Sequence, residues 1–416
     1  MRKRSWEIIC LFLASAAAVN AANFDSGAYG SWHDFFSDLY GQDENNGLTA
    51  FSVLAVPMGG RSEGMAGAFS AVCDDISFFE WNPAGSAMLN KTELAFFHNN
   101  WIADTKIESA VFSMRLARLG IAAVAKWLYT PFTEYGGWGE RLSKGYYSEV
   151  AGMLNASYNF FPGYYFPGLS LGVSLKGAFR SMPEFSGSTE VSQSAAGFAA
   201  DVGILTRVNF LKLYDSRDKN MSFALVLRNF GPPIMDEGMP SMAVAGFSYR
   251  PVRPFLISFD FSYPLNFVDL SLSEKPFFAL GFSAMLTRFL SMRTGFQLKA
   301  GGSKFTLGSS LEIGAAALEV NYTLDLATQM QPLNRVTLGV RLDLGDGGRE
   351  KQAQLVDEYY LAGLDAYSQG DDEKALDFFK AALELDPFFD PAHEGVSAVN
   401  NFRALSGRIQ EIGTFD

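Results

Sequence analysis

Few residues in this chain of 416 are spaced for covalent chemistry. The three histidines, His33, His98 and His393, lie far apart, and none belongs to a recognisable motif. No zinc-ligand spacing, Gly-x-Ser-x-Gly elbow or paired-acid motif stands out, so catalysis, a bound metal and a cofactor are not expected. The residues with chemical potential are gathered between Pro57 and Gly85, in PMGGRSEGMAGAFSAVCDDISFFEWNPAG. There Asp74 and Asp75 could hold a cation, and Arg61 could pair with them or with a substrate carboxylate. An ion pair that fixes the segment is the simpler account. Gly59, Gly60, Gly64 and Gly67 resemble a phosphate cradle only superficially, because the Lys-Ser/Thr of a P-loop and the spacing of a dinucleotide site are missing. Such glycines suit tight turns and close backbone approach instead. Asn82-Pro83-Ala84-Gly85 reads as a turn in which Asn82 caps and Pro83 sets φ. No set of substrate-binding residues emerges.

The elements that must hold this segment are announced by composition and period. Arg2, Lys3 and Arg4 followed by the apolar run Ile8–Val19 and the small residues near Ala21 read as a secretory signal over residues 1–21. Cys10 lacks a preceding lipobox-like Leu, so no lipoprotein is expected. With the signal removed, Cys73 is the one remaining cysteine, and no disulfide framework can stabilise the chain. Charged residues make up 19%, aromatics 14%, and the formal net charge is −12. Low charge with many aromatics suits a surface that meets an apolar medium. The negative balance argues against nucleic acid. Residues 22–92 carry no sustained period, although Trp32–Tyr40 suggests a short amphipathic helix, assigned to a periplasmic approach or to the glycine-rich segment.

From residue 93 to 345 the period becomes two. Leu169, Leu171, Val173, Leu175 and Phe179 alternate with Ser170, Gly172, Ser174, Lys176 and Arg180. Leu318–Leu326 and Val336–Leu344 repeat the pattern, as do Phe255–Tyr263, Met221–Asn229 and Leu290–Lys299. Alternation places one face of each strand in an apolar medium and the other in a polar one. The segments approach the ~10 residues of a tilted transmembrane strand, and about fourteen can be counted, an even number as in bacterial outer-membrane barrels. Aromatics near strand ends, at Trp127 and Tyr129, Phe160-Phe161 and Tyr164-Tyr165-Phe166, suit interfacial girdles. Long connections at Pro131–Gly145, Met182–Gln193, Gly231–Pro240, Pro264–Lys275 and Ala327–Asn334 mostly alternate with short ones. With an even strand count, both ends of the barrel fall on one side, taken as periplasmic. His98, on the first strand, is expected to face the lumen or a girdle.

Gly345-Asp-Gly-Gly348 ends the strand pattern, and a charged helical region follows over residues 349–416. Tyr359–Pro387 resembles one tetratricopeptide repeat, with Gly363, Gly370, Ala375, Phe379, Ala382 and Pro387 at the family's spacing. Ala366 departs from it, since a bulkier residue is usual there. A single repeat buries its apolar face poorly, so the tail is expected to pack on the barrel or to dock a periplasmic protein.

The Pro57–Gly85 segment also carries a family resemblance. Met58, Gly59, Arg61, Ser62, Gly64, Met65, Gly67, Ala68 and Phe69, then Asp74, Asp75, Trp81, Asn82, Pro83, Ala84 and Gly85, resemble the N-terminal plug of FadL-type outer-membrane transporters. The match is nearer still to the PorV-like branch and its spirochaete relatives. The resemblance implies an all-β transmembrane barrel plugged by its N-terminal segment. It also implies passive uptake of hydrophobic molecules such as long-chain fatty acids across the outer membrane, with lipid around the barrel. The PorV-like relatives imply an alternative, an outer-membrane partner in protein secretion or surface attachment that uses the helical tail to bind periplasmic proteins.

Overall fold

The computed structural model describes residues 26–102, 104–182, 194–326 and 333–413. The expected signal, residues 1–21, lies outside them. Fourteen strands form a closed antiparallel barrel in chain order, with the first pairing the last. They are β1 Glu93–Asn100, β2 Lys106–Leu116, β3 Leu119–Tyr135, β4 Arg141–Phe160, β5 Leu169–Ser181, β6 Ala195–Val208 and β7 Met221–Phe230, followed by β8 Ser241–Val252, β9 Phe255–Leu265, β10 Phe277–Met285, β11 Leu290–Leu298, β12 Lys304–Ile313, β13 Ala316–Asp325 and β14 Leu333–Asp343. Closure removes every sheet edge, which only a barrel achieves. Glu93 pairs with Asp343, so the barrel's first and last residues share one end.

The side-chain period of two becomes an inside and an outside. On β5, Leu171, Val173, Leu175 and Phe179 point outward and stay exposed, while Ser170, Ser174, Lys176 and Ala178 are buried. On β13 and β14, Glu319, Asn321, Thr323, Arg335 and Thr337 are buried on the inner side, and Leu338 and Val340 are exposed.

Two expectations change and a third narrows. The connection read from Pro131 to Gly145 is mostly sheet, because the β3–β4 ladder runs to Tyr135 opposite Arg141 with an irregularity at Glu134. Strands of 17 and 20 residues exceed the ~10 of a tilted membrane-crossing strand. His98 sits on the outward side of β1, which removes the lumen alternative and leaves the girdle one, with Nδ1 2.7 Å from Glu108 Oε1. The helix is longer than expected, Ser26–Tyr40 (α1), and does not enter the barrel. Its Phe36 packs on outward-facing Phe296 and Phe305, at the end of the barrel opposite Glu93 and Asp343. Aromatic residues four apart made α1 legible as a helix but could not say which wall it meets.

A second compact unit joins residues 345–416 with the β4–β5 turn, Asn159–Leu169. Its helices are α2 Arg349–Ser368, α3 Asp372–Leu385 and α4 Asp390–Gly413. Val356, Ala366, Ala375, Leu376, Phe379, Ala382, Phe389, Ala392 and Val399 form its core. Gly363 lets α2 approach closely, since an added Cβ would lie 2.6 Å from the Phe379 ring. Gly370 and Pro387 stand outside this packing. Gly370 has open space around it at φ 78° and turns the chain between helices, and Pro387 is exposed past the end of α3. Asp371 caps α3 by accepting from the Lys374 amide. Tyr164 stacks edge-on against Phe389 at 5.2 Å, and its amide donates to Asp390. The Tyr164-Tyr165-Phe166 run therefore contributes to this unit, where a membrane girdle was expected.

Candidate functional site

Beyond α1 the chain crosses the rim, where Asp43 accepts from the Lys275 amide and Asn45 donates to the Ser271 and Ser273 carbonyls. It then follows the inner wall. The Ala50 amide donates to Gly238 O and the Val53 amide to Glu149. From there the segment visits the strands almost in reverse order. Gly60 O accepts from Asn321 of β13 at 2.9 Å, and Glu63 accepts from Thr337 of β14. Gly64 O accepts from Thr306 of β12, and Ala68 O from Ser258 of β9 at 2.7 Å. The Ser70 amide donates to Asp260 of β9 at 2.9 Å, and Ala71 O accepts from Ser248 of β8. Glu80 O accepts from Arg228 of β7. Asn82 donates to Ile204 O of β6, Ala84 O accepts from Ser170 of β5, and Pro83 O from Asn155 of β4. An irregular backbone enclosed by a wall must find such partners or leave buried groups unsatisfied at a cost of about 1–3 kcal/mol each.

The residues singled out in the sequence fall along this path. Met58 is fully buried, and its amide donates to Glu80. Gly59, Gly60 and Gly67 adopt φ of 128°, 81° and 85°, left-handed values that favour glycine. Gly64 and Gly85 serve by being small: a Cβ at Gly64 would press on Asn321, and one at Gly85 on the Phe78 ring. Arg61 bridges Asp74 at 2.7 Å and Asp75 at 3.1 Å, so the two acids share a cation from the protein itself. Burial pushes the Asp75 carboxyl up, but the Arg61 guanidinium and then Arg341 outweigh it and hold it below its ordinary value. Asn82 accepts from the Ala84 amide at 2.9 Å and opens a short helical turn, Pro83–Met88, with proline in its first position.

Other participants were not singled out. The charge chain continues from Ile76, whose amide donates to Glu93, through Glu93 to Arg341 at 2.7 Å and on to Glu319 at 3.5 Å. Lys126 bonds Glu80 and the Val56 carbonyl, and Lys176 pairs with Asp201 at 2.7 Å. Inner-wall glycines matter as much. A Cβ at Gly120 would overlap the Ser86–Ala87 backbone, one at Gly172 the Pro83 carbonyl, and one at Gly295 the Met65–Ala66 peptide. The available signal was their register: each occupies an inward position of its strand, where a side chain was otherwise due.

The segment also presents apolar side chains. Phe51, Met58, Ile76, Phe78, Phe79, Met88 and Leu89 form one cluster with inward-facing Phe97, Ile107, Val111, Val124, Leu128, Met153 and Leu205. Those wall residues belong to β1–β4 and β6, whereas the hydrogen bonds to Asn321, Thr337, Thr306, Ser258 and Asp260 lie on β9 and β12–β14.

The chain has relatives and structural neighbours among known proteins. A protein of Treponema pallidum (strain Nichols) is 30% identical over 382 residues, covering 87% of this chain and 85% of its own. A second from the same organism is 25% identical over 398 residues, covering 87% and 78%. Among solved structures, the CymD monoaromatic hydrocarbon channel is similar with a TM-score of 0.48 and 12% identity over 71% of this chain and 99% of its own. The Ralstonia pickettii toluene transporter TbuX gives 0.46 and 12%, with the same coverage. The wall and the segment that lines it both lie within residues 37–347, which match the model of the Uncharacterised protein family (UPF0164), and the chain belongs to that family.

Proposed function

We propose that the chain is an outer-membrane barrel whose residues 50–92 act as a plug, and that it admits hydrophobic molecules passively, long-chain fatty acids among them. The observation that carries this reading is the division of the interior. Toward β1–β4 the plug packs apolar side chains on the wall between the polar anchors Glu93, Lys126, Glu149 and Asn155, whereas toward β9–β14 it is held mainly by hydrogen bonds and charge, with Met65 and Phe69 against Leu256. Apolar contacts are non-directional and separate without leaving unpaired polar groups. A plug that swings on its β9–β14 attachments, releasing Lys126–Glu80 and Val53–Glu149 as it does so, would open a path along Ile107, Val124, Leu128 and Met153 that an acyl chain can line. No energy source is needed, since an amphiphile entering from the long loops would descend its own gradient. In this reading, the barrel end with Glu93 and Asp343 faces the periplasm, and the tetratricopeptide-like helices are periplasmic.

Uptake of labelled fatty acid by a deletion strain tests the proposal. Uptake should fall and return on complementation. The purified barrel should also bind a hydrophobic fluorophore that oleate displaces. A second reading, a PorV-like scaffold for secretion or surface attachment, is favoured by the buried pairs Lys126–Glu80, Lys176–Asp201 and Arg341–Glu93, which suit a permanent filling. Unchanged uptake with lost surface display in the deletion strain would select it.

A further inference from the structure

We infer that α1 is an interfacial helix that lies on the barrel's outer wall with one flank in membrane lipid. This rests on the reading of the barrel as membrane-spanning. At 3.6 residues per turn, positions four apart share a face of a helix. Trp32, Phe36 and Tyr40 form the face that meets protein. Trp32 lies 6.1 Å from the Phe305 ring, Phe36 5.2 Å from Phe296, and Tyr40 6.4 Å from Phe278, and the Tyr40 hydroxyl donates to Pro276 O at 2.6 Å. Phe278, Phe296 and Phe305 belong to three successive strands, β10 to β12, so α1 runs across the strands and follows the rim.

The other two flanks differ from each other. Phe35 and Leu39, again four apart, are 60% and 58% exposed, and Trp32 is 47% exposed. Asp34 and Asp38 are exposed on the side away from Phe36. A helix in water gains nothing by exposing a phenylalanine and a leucine side by side. Burying them removes apolar surface from water, which is favourable. The occupant is indicated by what adjoins the helix. One step along β12 from Phe305 on the outward face is Leu307, and the matching step on β11 leads past Thr294 to Met292, both half exposed. The apolar flank of α1 is therefore continuous with the outward belt of the barrel. A protein-facing side, an apolar flank and an acidic flank together fit a helix at the boundary of acyl chains and water.

Site-directed spin labelling of the full chain in lipid vesicles tests this. In a background without native cysteines, Phe35→Cys, Leu39→Cys, Asp34→Cys, Asp38→Cys and the belt control Leu307→Cys each receive one nitroxide, after each variant is checked for a heat-modifiable fold. Labels at 35, 39 and 307 should collide with oxygen and be protected from a water-soluble nickel complex. Labels at 34 and 38 should show the reverse. Nickel accessibility at 35 and 39 with oxygen accessibility at 307 would overturn the interfacial helix and leave the barrel standing. Nickel accessibility at 307 would overturn the membrane reading, and the helix with it. Protection from both reagents at 35 and 39 would mean that a protein covers the flank, which also overturns the inference.

Discussion

The two sides of the barrel's interior hold the same segment by different physics. Toward β1–β4 the segment is largely fitted, with Phe78, Phe79, Met88 and Leu89 against Ile107, Val111, Val124 and Met153, between the anchors Glu93, Lys126, Glu149 and Asn155. Toward β9–β14 it is bonded, with main-chain groups of Gly60, Gly64, Ala68 and Ser70 matched to Asn321, Thr306, Ser258 and Asp260. A fitted contact can be remade anywhere nearby at small cost. A bonded one is directional, and any displacement leaves buried groups unpaired. The β9–β14 side of the segment is thus held mainly by directional bonds, whereas the β1–β4 side combines a broad apolar contact with the anchors Glu93, Lys126, Glu149 and Asn155, which is a testable asymmetry.

The largest effects should separate the two kinds of contact by how they combine. Phe79→Ala is expected to lower stability by about 3–5 kcal/mol, because it leaves a cavity in a closely packed cluster. Arg341→Met should cost a similar ~3–5 kcal/mol for another reason, since it strands Glu93 and Glu319 as buried charges. Adding Glu93→Gln to Arg341→Met should recover part of that loss. Adding Leu128→Ala to Phe79→Ala should only deepen the deficit. Denaturant midpoints in detergent measure all four. Recovery on the apolar side, or none on the charged side, would break the comparison.

Next in size are the wall glycines. Gly120→Ala is expected to cost about 1–3 kcal/mol by overpacking, because the new methyl meets the Ser86–Ala87 backbone. Gly152→Ala on the neighbouring strand meets nothing within 4 Å and should be close to neutral. Equal costs at both sites would show that strand propensity, and not contact with the segment, sets the price. Of similar size, Asn82→Ala should cost about 1–3 kcal/mol, because it removes the cap on the Ala84 amide and strands the Ser70 and Ile204 carbonyls.

How far the sequence could go follows from the range of each signal. Alternation is local, so Leu169–Arg180 and Val336–Leu344 disclosed strand, inside and outside at once. The absence of any period in Pro57–Gly85, together with Arg61, Asp74 and Asp75, disclosed an irregular segment with its own ion pair. What it could not disclose were pairings between distant parts. Glu93, Arg341 and Glu319 look like ordinary polar-face residues until the barrel brings β1, β13 and β14 together around Ile76. Gly120, Gly172 and Gly295 look like weak spots in strands until a second backbone is laid against them. Helix α1 shows its aromatic face plainly, yet nothing local says that its partners are Phe296 and Phe305 on the outer wall.

The asymmetry has a kinetic consequence that Cys73 can report. Its side chain is fully buried, Sγ donates to Phe69 O and Ser70 O, and burial pushes the thiol well above its ordinary pKa. It should therefore resist thiol reagents until the segment opens. If the fitted side opens first, labelling in mild denaturant should proceed by partial opening, with a weaker denaturant dependence than global unfolding. Phe79→Ala should then speed labelling by about tenfold for each 1.4 kcal/mol it removes from that opening. Ser258→Ala, which deletes one bond on the other side, should change the rate far less. Labelling that follows global unfolding in the parent and in both variants would mean that neither side moves alone. The segment would then be a permanent filling, and the difference between the two walls would concern assembly rather than opening.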